Sequence, residues 1–286
     1  MKIEKASRVF SEYLADETIS KYTRATAGYG ISYLLNHDYN AVYLDALALL
    51  PPGAMKRGLR ILEFGCGGGM NLIHLVSMLS RNSIQVEKAI GADFSPGLIE
   101  AANREARSYL QQQERHRVEF YVAKHESLIE ELATALGTDR PRLHNSMDFI
   151  LGVNTVRYCH HAGTELDCMR NVANLLTPGG VCVIIDMNDR FLFFKSELKN
   201  RVRINKREEC YIPSLQEYVS PFRQVGLEVL RSENFCWIPH SSGPVVCHLL
   251  KSMSPLLNLV ARSRAMRSLV IARKTGNSSG GDFLES

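Results

Sequence analysis

Two hydrophobic rhythms divide the chain. Up to residue 50, apolar and aromatic side chains recur at helical spacing, through Tyr29, Tyr33 and Leu34 and then Val42, Tyr43, Leu47 and Leu50, which predicts a helical segment. Pro51-Pro52-Gly53 stops it, because proline cannot continue a helix and glycine frees the turn. From Leu59 onward, short apolar runs alternate with amphipathic stretches. Leu59–Phe64, Lys88–Asp93, Val118–Ala123, Met147–Val153 and Val181–Asp186 predict strands. Asn71–Ser80, Pro96 to about Gln113, residues 126–136 and about Thr164 to Leu176 predict the helices between them. Such alternation implies parallel strands, right-handed crossovers and helices on both faces, a doubly wound α/β fold. Leu227–Phe235 and Ser268–Arg273 read as two further strands, and no internal repeat is seen.

Two stretches fall outside the alternation and read as insertions: about 187–212, aromatic and basic, and about 236–267, apolar and basic. The expected division is a helical segment over 1–52, a core domain over 53–274 carrying both insertions, and a disordered tail over 275–286. That tail holds Gly, Ser and Asn with little to bury. Composition adds little to this picture. A chain of 286 residues, 45% hydrophobic and 22% charged, can bury one substantial core. A net charge of +4 makes no general case for nucleic acid, so no nucleic-acid partner is expected. Seven scattered cysteines without a C-x-x-C pair suit a reducing compartment and no metal cluster. Met1 to Lys5 lacks the apolar stretch of a secretory signal, and no apolar run is long enough to span a bilayer. The expectation is a cytoplasmic protein.

Candidate chemistry concentrates after the first two strands. Ile61-Leu62-Glu63-Phe64-Gly65-Cys66-Gly67-Gly68-Gly69 ends a strand in an acid and turns it through alternate glycines. Gly91-Ala92-Asp93 ends the next strand in a second acid. Glycines at 65, 67 and 69 bare the main chain to a ligand and permit positive φ. The third spacing of a dinucleotide fingerprint fails at Met70, and an acid so close to the loop is a poor neighbour for a pyrophosphate. Glu63 instead suits an ammonium group, directly or through water. Asp93 can accept two hydrogen bonds from vicinal ribose hydroxyls. The plain alternative is a tight strand–helix turn, with Asp93 or Ser95 capping the helix that opens at Pro96.

This combination resembles the class I S-adenosylmethionine-dependent methyltransferases, the small-molecule branch in particular. The resemblance covers about residues 55–235 plus the last strand, and includes Leu175-Leu176-Thr177-Pro178-Gly179-Gly180 leading into Val181–Asp186. It implies a seven-stranded, mostly parallel sheet whose last strand is antiparallel, with S-adenosyl-L-methionine lying over the ends of the first two strands. It also implies cofactor contacts at Glu63, Gly65, Cys66, Gly67, Gly69, Asp93, Phe94 and Asn154. Lys124 stands where many relatives place an acid for the adenine amino group, which leaves adenine to backbone, His125 or Glu126. Tyr22-Thr23-Arg24-Ala25-Thr26-Ala27-Gly28-Tyr29-Gly30 resembles a lid, so residues 1–52 are expected to close over the cofactor with Tyr29 touching it; packing in the core is the other reading of that tyrosine.

On the acceptor side, Asn154-Thr155-Val156-Arg157-Tyr158-Cys159-His160-His161 follows the fourth strand and by resemblance lies beside the sulfonium. His160 or His161 could take a proton from a hydroxyl or amine, imidazole being near neutrality. Asp186 and Asn188 are rivals for orienting the acceptor, and Asp186 could equally be a structural carboxylate. The second insertion carries Leu249, Met253, Leu256, Leu259 and Val260, and no acid stands from Asn234 to Gly281, whereas Lys251, Arg262, Arg264, Arg267, Arg273 and Lys274 do. An apolar face with basic flanks suits an anionic membrane surface or a greasy, phosphate-bearing acceptor; an amphipathic cap with solvated cations is the plainer account. The expected function is methyl transfer from S-adenosylmethionine to an oxygen or nitrogen of a small-molecule or lipid-like acceptor. A cofactor-binding protein without turnover and an RNA or protein methyltransferase are the other readings. Nothing fixes the oligomeric state.

Overall fold

Strand β1 (Leu59–Phe64) is buried along nearly all its length, because it lies at the centre of a sheet covered on both faces. The computed structural model describes residues 37–191, 201–205, 208–238 and 244–276. β1 is flanked in parallel by β2 (Val86–Asp93) and β4 (Met147–Val153). Outside these run β3 (Val118–Val122), beside β2, and β5 (Leu176–Met187), beside β4. A separate hairpin is made by β6 (Arg201–Asn205) and β7 (Glu208–Tyr211). β8 (Leu227–Phe235) forms the far edge, and β9 (Arg267–Lys274) is antiparallel to both β5 and β8 and lies between them. The seven-stranded order is β3-β2-β1-β4-β5-β9-β8.

Helices fill both faces as the parallel crossovers require. On one side α1 (His37–Leu47), α2 (Met70–Arg81) and α3 (Pro96–Tyr109) cover Ile61, Ala89, Phe149, Leu151, Val183 and Leu269. On the other, α4 (Leu128–Leu136), α5 (Val156–Ala162), α6 (Glu165–Leu175) and α7 (Leu215–Gln224) cover Leu62, Phe64, Ile90, Ile150, Ile184 and Val270. Neighbouring residues of each strand thus enter opposite cores, the period-two rule of a strand. Each large side chain buried this way stabilises by about 1.5–3 kcal/mol. The last long helix, α8 (Pro244–Ala261), joins β8 to β9.

Two expectations change and one further element is found. The helix expected to run to Gln113 ends at Tyr109, since Leu110 is extended and a capping box of Gln111 with Glu114 starts a separate turn at Gln112–Arg115. The Thr177–Gly180 turn is drawn into β5, whose register against β4 jumps between Met147 and Phe149 to absorb it. The stretch after β4 is a short helix, entered at Thr155 and closed by Gly163 at φ 77°. Of the helical segment expected over 1–52, α1 and a turn beginning at Pro52 are described; Tyr22–Gly30, including Tyr29, lies outside the described residues, as does the tail from 277.

Candidate active site

The two predicted acids flank the glycine turn, and both are buried. Glu63 is fully enclosed at the end of β1. Its carboxylate accepts hydrogen bonds from the Asn71 side-chain amide (3.1 Å) and the Leu72 N–H (3.0 Å) on α2. Burial nevertheless dominates and pushes its pKa up to about 8. Asp93, closing β2, accepts from the Gly67 N–H and from the Ser95 N–H, each at 2.9 Å. Its pKa is also raised, again chiefly by burial. Among the described residues neither acid is paired with a lysine or arginine. Ser95, not Asp93, caps α3 through its hydroxyl, which accepts from the Leu98 N–H.

The glycines divide into two kinds. A Cβ on Gly65 would lie 2.3 Å from the Thr155 side chain, and one on Gly69 would lie 2.7 Å from the Phe120 ring, so both serve internal packing. A Cβ on Gly67 or Gly68 would meet nothing within 4 Å. The open strip of the turn is therefore Gly67-Gly68, at φ 52° for Gly67, with Asp93 beneath it. Cys66 turns its thiol into the core, and its main chain is used within the turn, its N–H donating to the Ala92 carbonyl and its carbonyl accepting from the Gly69 N–H. Phe94 is half-buried beside Asp93.

This arrangement fits an adenosyl ligand with a cationic amino-acid end. Asp93 accepts from the backbone N–H groups of Gly67, Ser95 and Phe94, which leaves about one of its roughly four acceptor positions for a ribose hydroxyl. Glu63 is a buried acid whose ionised form needs a positive neighbour. His125, expected as an adenine contact, is committed elsewhere: its Nε2 lies 3.0 Å from Thr164 Oγ1 and 3.2 Å from Glu126 Oε2. Burial pulls its pKa down, but the Cys159 thiol, Glu126 and Asp93 outweigh this and hold it at about 9. It links the β3 loop to the start of α6. The Lys124 N–H is likewise used, by Glu131.

On the acceptor side, Asn154 adopts a left-handed φ of 58° and its side-chain oxygen accepts from two buried guanidiniums, Arg157 at 3.2 Å and Arg267 at 2.5 Å. Asp186, named from the sequence both as a catalytic candidate and as a structural carboxylate, has its carboxylate engaged within the protein. It is wholly buried, paired with Arg157 at 2.7 Å, and also accepts from the backbone N–H groups of Arg157 and Met187. Asn188, named as a rival for orienting the acceptor, donates its side-chain amide to the carbonyls of Ser263 and Ala265. His160 stands edge-on to Tyr218 of α7 at 5.7 Å, and burial lowers its pKa against the pull of Glu165, Glu217 and Asp186. His161 is half-buried on the same helix. Arg157, Arg267 and Phe120 are the functional-site residues that sequence reasoning left unassigned. The parity of Arg267 with Leu269 and Ile271 along its strand was the available signal for the second of them.

A family model described as a methyltransferase domain matches residues 55–229, and the chain belongs to that family. Its seven-stranded sheet and glycine turn are those of the class I S-adenosylmethionine-dependent methyltransferase fold. A stretch of 158 residues, 53% of this chain, is 29% identical to part of the citrinin polyketide synthases of Monascus ruber and Monascus purpureus. It spans only 5% of the length of those relatives. An S-adenosylmethionine-dependent methyltransferase from Mesorhizobium loti shares the fold at a TM-score of 0.52 and 16% identity, over 81% of this chain and 96% of that one. So does geranyl diphosphate C-methyltransferase from Streptomyces coelicolor A3(2), solved with Mg2+, geranyl diphosphate and S-adenosyl-L-homocysteine, at 0.51 and 17% over 83% and 78%.

Proposed function

We propose that this methyltransferase delivers the methyl group to an oxygen or nitrogen of a small-molecule or lipid-like acceptor seated over the ends of β4 and β5. The cofactor supplies, when bound, a methyl group on positively charged sulfur, already strongly electrophilic. The protein's share is then mostly alignment. Glu63 would face the ammonium end, Gly67-Gly68 the tail, and Asp93 the ribose. Asn154, fixed by Arg157 and Arg267, would floor the acceptor seat. His160, whose pKa burial lowers, and His161 are the candidates for accepting the acceptor's proton. The observation that carries this reading is the pair of buried acids, neither paired with a lysine or arginine among the described residues, beside an open strip of main chain.

Two measurements test it. Asp93→Ala should lose about 1.5–3 kcal/mol of cofactor affinity by calorimetry, and unchanged affinity removes the proposed ribose contact. Trideuteromethyl-labelled S-adenosylmethionine, incubated with cell extract, should mark a product whose new methyl sits on oxygen or nitrogen. A label on carbon overturns that part of the reading. With the acceptor in hand, replacing the operative histidine by asparagine should cost ~10²–10⁴ in kcat at constant cofactor affinity.

A further inference from the structure

Helix α8 carries an exposed apolar arc that the catalytic reading does not use. At 100° per residue, Leu259, Val245, Leu256, Leu249, Val260 and Met253 fall within about 120° of one another around the helix axis, and all six are exposed. Val245 and Leu259, near opposite ends, are 82% and 83% accessible. The adjoining arc of Cys247, Leu250, Ser254, Leu257, Asn258 and Ala261 is half-buried and faces the body. Trp237 anchors that side, its indole N–H donating to Asn258 Oδ1 at 2.7 Å. The apolar arc therefore points outward while the helix is held from behind.

Charge says what such a face would meet. No acid occurs in α8 or in the turn that follows it to Met266. Lys251 and Arg264 are exposed there, whereas Arg262 pairs with Glu233 at 2.9 Å, Arg273 with Glu228, and Arg267 is buried on Asn154. Lys274 is bonded to the Asn145 side chain and the Ala173 carbonyl, so among the described residues two of the six cations named from the sequence remain on this flank without a protein partner. No described helix is long and apolar enough to cross a membrane. A helix of this length with one apolar arc, an exposed lysine on its flank, an exposed arginine in the turn beyond it and no acids suits a bilayer interface.

We propose that α8 is a docking surface for an anionic lipid bilayer, seated with Leu249, Leu256 and Leu259 among the acyl chains and Lys251 and Arg264 at the headgroups. Its placement gives the contact a use. α8 leaves the sheet after Phe235 and returns at Arg267, which is paired in register with both Phe235 and Met187 at the end of β5. That is the sheet edge bearing the cofactor turn and the acceptor seat, so a docked molecule holds its acceptor side near the lipid surface.

Flotation of the full chain with vesicles tests this without reference to the methyl acceptor. The protein should rise with phosphatidylcholine vesicles containing phosphatidylglycerol and rise less at high salt. Leu249→Glu with Leu256→Glu should weaken that binding by roughly tenfold or more, and Lys251→Glu with Arg264→Glu by roughly fivefold or more. Circular dichroism and calorimetric cofactor affinity should stay unchanged in these variants. The proposal is overturned if the protein stays at the bottom with anionic vesicles at low salt, or if binding survives the leucine substitutions. A dimer in solution that those same substitutions dissociate assigns the face to self-association and overturns it as well.

Discussion

Glu63 is fully buried, and in the free protein it keeps its proton to about pH 8, against 4.5 for an unfolded glutamate. Between those values the folded state binds more protons than the unfolded one, so this group makes stability fall as pH rises through the window. A cationic ligand end beside it reverses the preference and expels the proton. Cofactor affinity should therefore climb by up to tenfold per pH unit between roughly pH 5 and 7. Calorimetry in buffers of different ionisation enthalpy should register the released proton. In Glu63→Gln both dependences should vanish. A flat pH profile in the native chain would mean that no charge sits against this acid. The two carboxylates were legible in the sequence because each closes an apolar strand. Their state of protonation was not, since it follows from enclosure by residues far along the chain.

Within the β1–α2 turn, glycines that look alike in the sequence do different work, which substitution can separate. Gly67→Ala meets open space and a φ of 52°, so the left-handed backbone is its main penalty to the free protein, about 1–2 kcal/mol. Its methyl group would stand in the ligand's place, and affinity for S-adenosylmethionine should fall by more than about tenfold with Tm lower by only a few degrees. Gly69→Ala adds a 2.7 Å contact with Phe120 to a φ of 77°, and should lose ~3 kcal/mol or more of stability. Thermal melts paired with cofactor titrations distinguish the two. The reverse outcome, a stability loss at Gly67 and an affinity loss alone at Gly69, would relocate the ligand. Other elements were signalled yet passed over. Thr155 before and Gly163 after a seven-residue stretch are helix-boundary residues, and Arg201-Val202-Arg203-Ile204 alternates as a strand does.

At the scale of the whole molecule, strand–helix alternation specified the parallel half of the sheet because each crossover is local. The acceptor half depends on partners distant in sequence. Asn154 meets Arg267 across 113 positions, and Asp186 meets Arg157 across 29. Arg267 shares a face with Leu269 and Ile271, so alternation turned it inward, but only the assembled sheet showed what received it. The same topology makes the end of the chain indispensable. β9 is the last strand in sequence yet lies inside the sheet, pairing with β5 on one side and β8 on the other. Ending the chain at Met266 would leave two strand edges unpaired and uncover Leu269, Val270 and Ile271's partners in both cores. It would also remove the arginine that helps fix Asn154. The shortened chain should fail to give a cooperative melt and should aggregate. Arg267→Ala in the full chain should melt cooperatively at a lower temperature and, on the proposed reading that Asn154 floors the acceptor seat, lose turnover more than cofactor affinity, whereas an equal loss of both would return Asn154 to the cofactor contacts expected from the sequence. A truncated chain that melts cooperatively and binds S-adenosylmethionine as well as the full one would show that the five parallel strands form the folding unit by themselves, with the antiparallel pair serving only the acceptor.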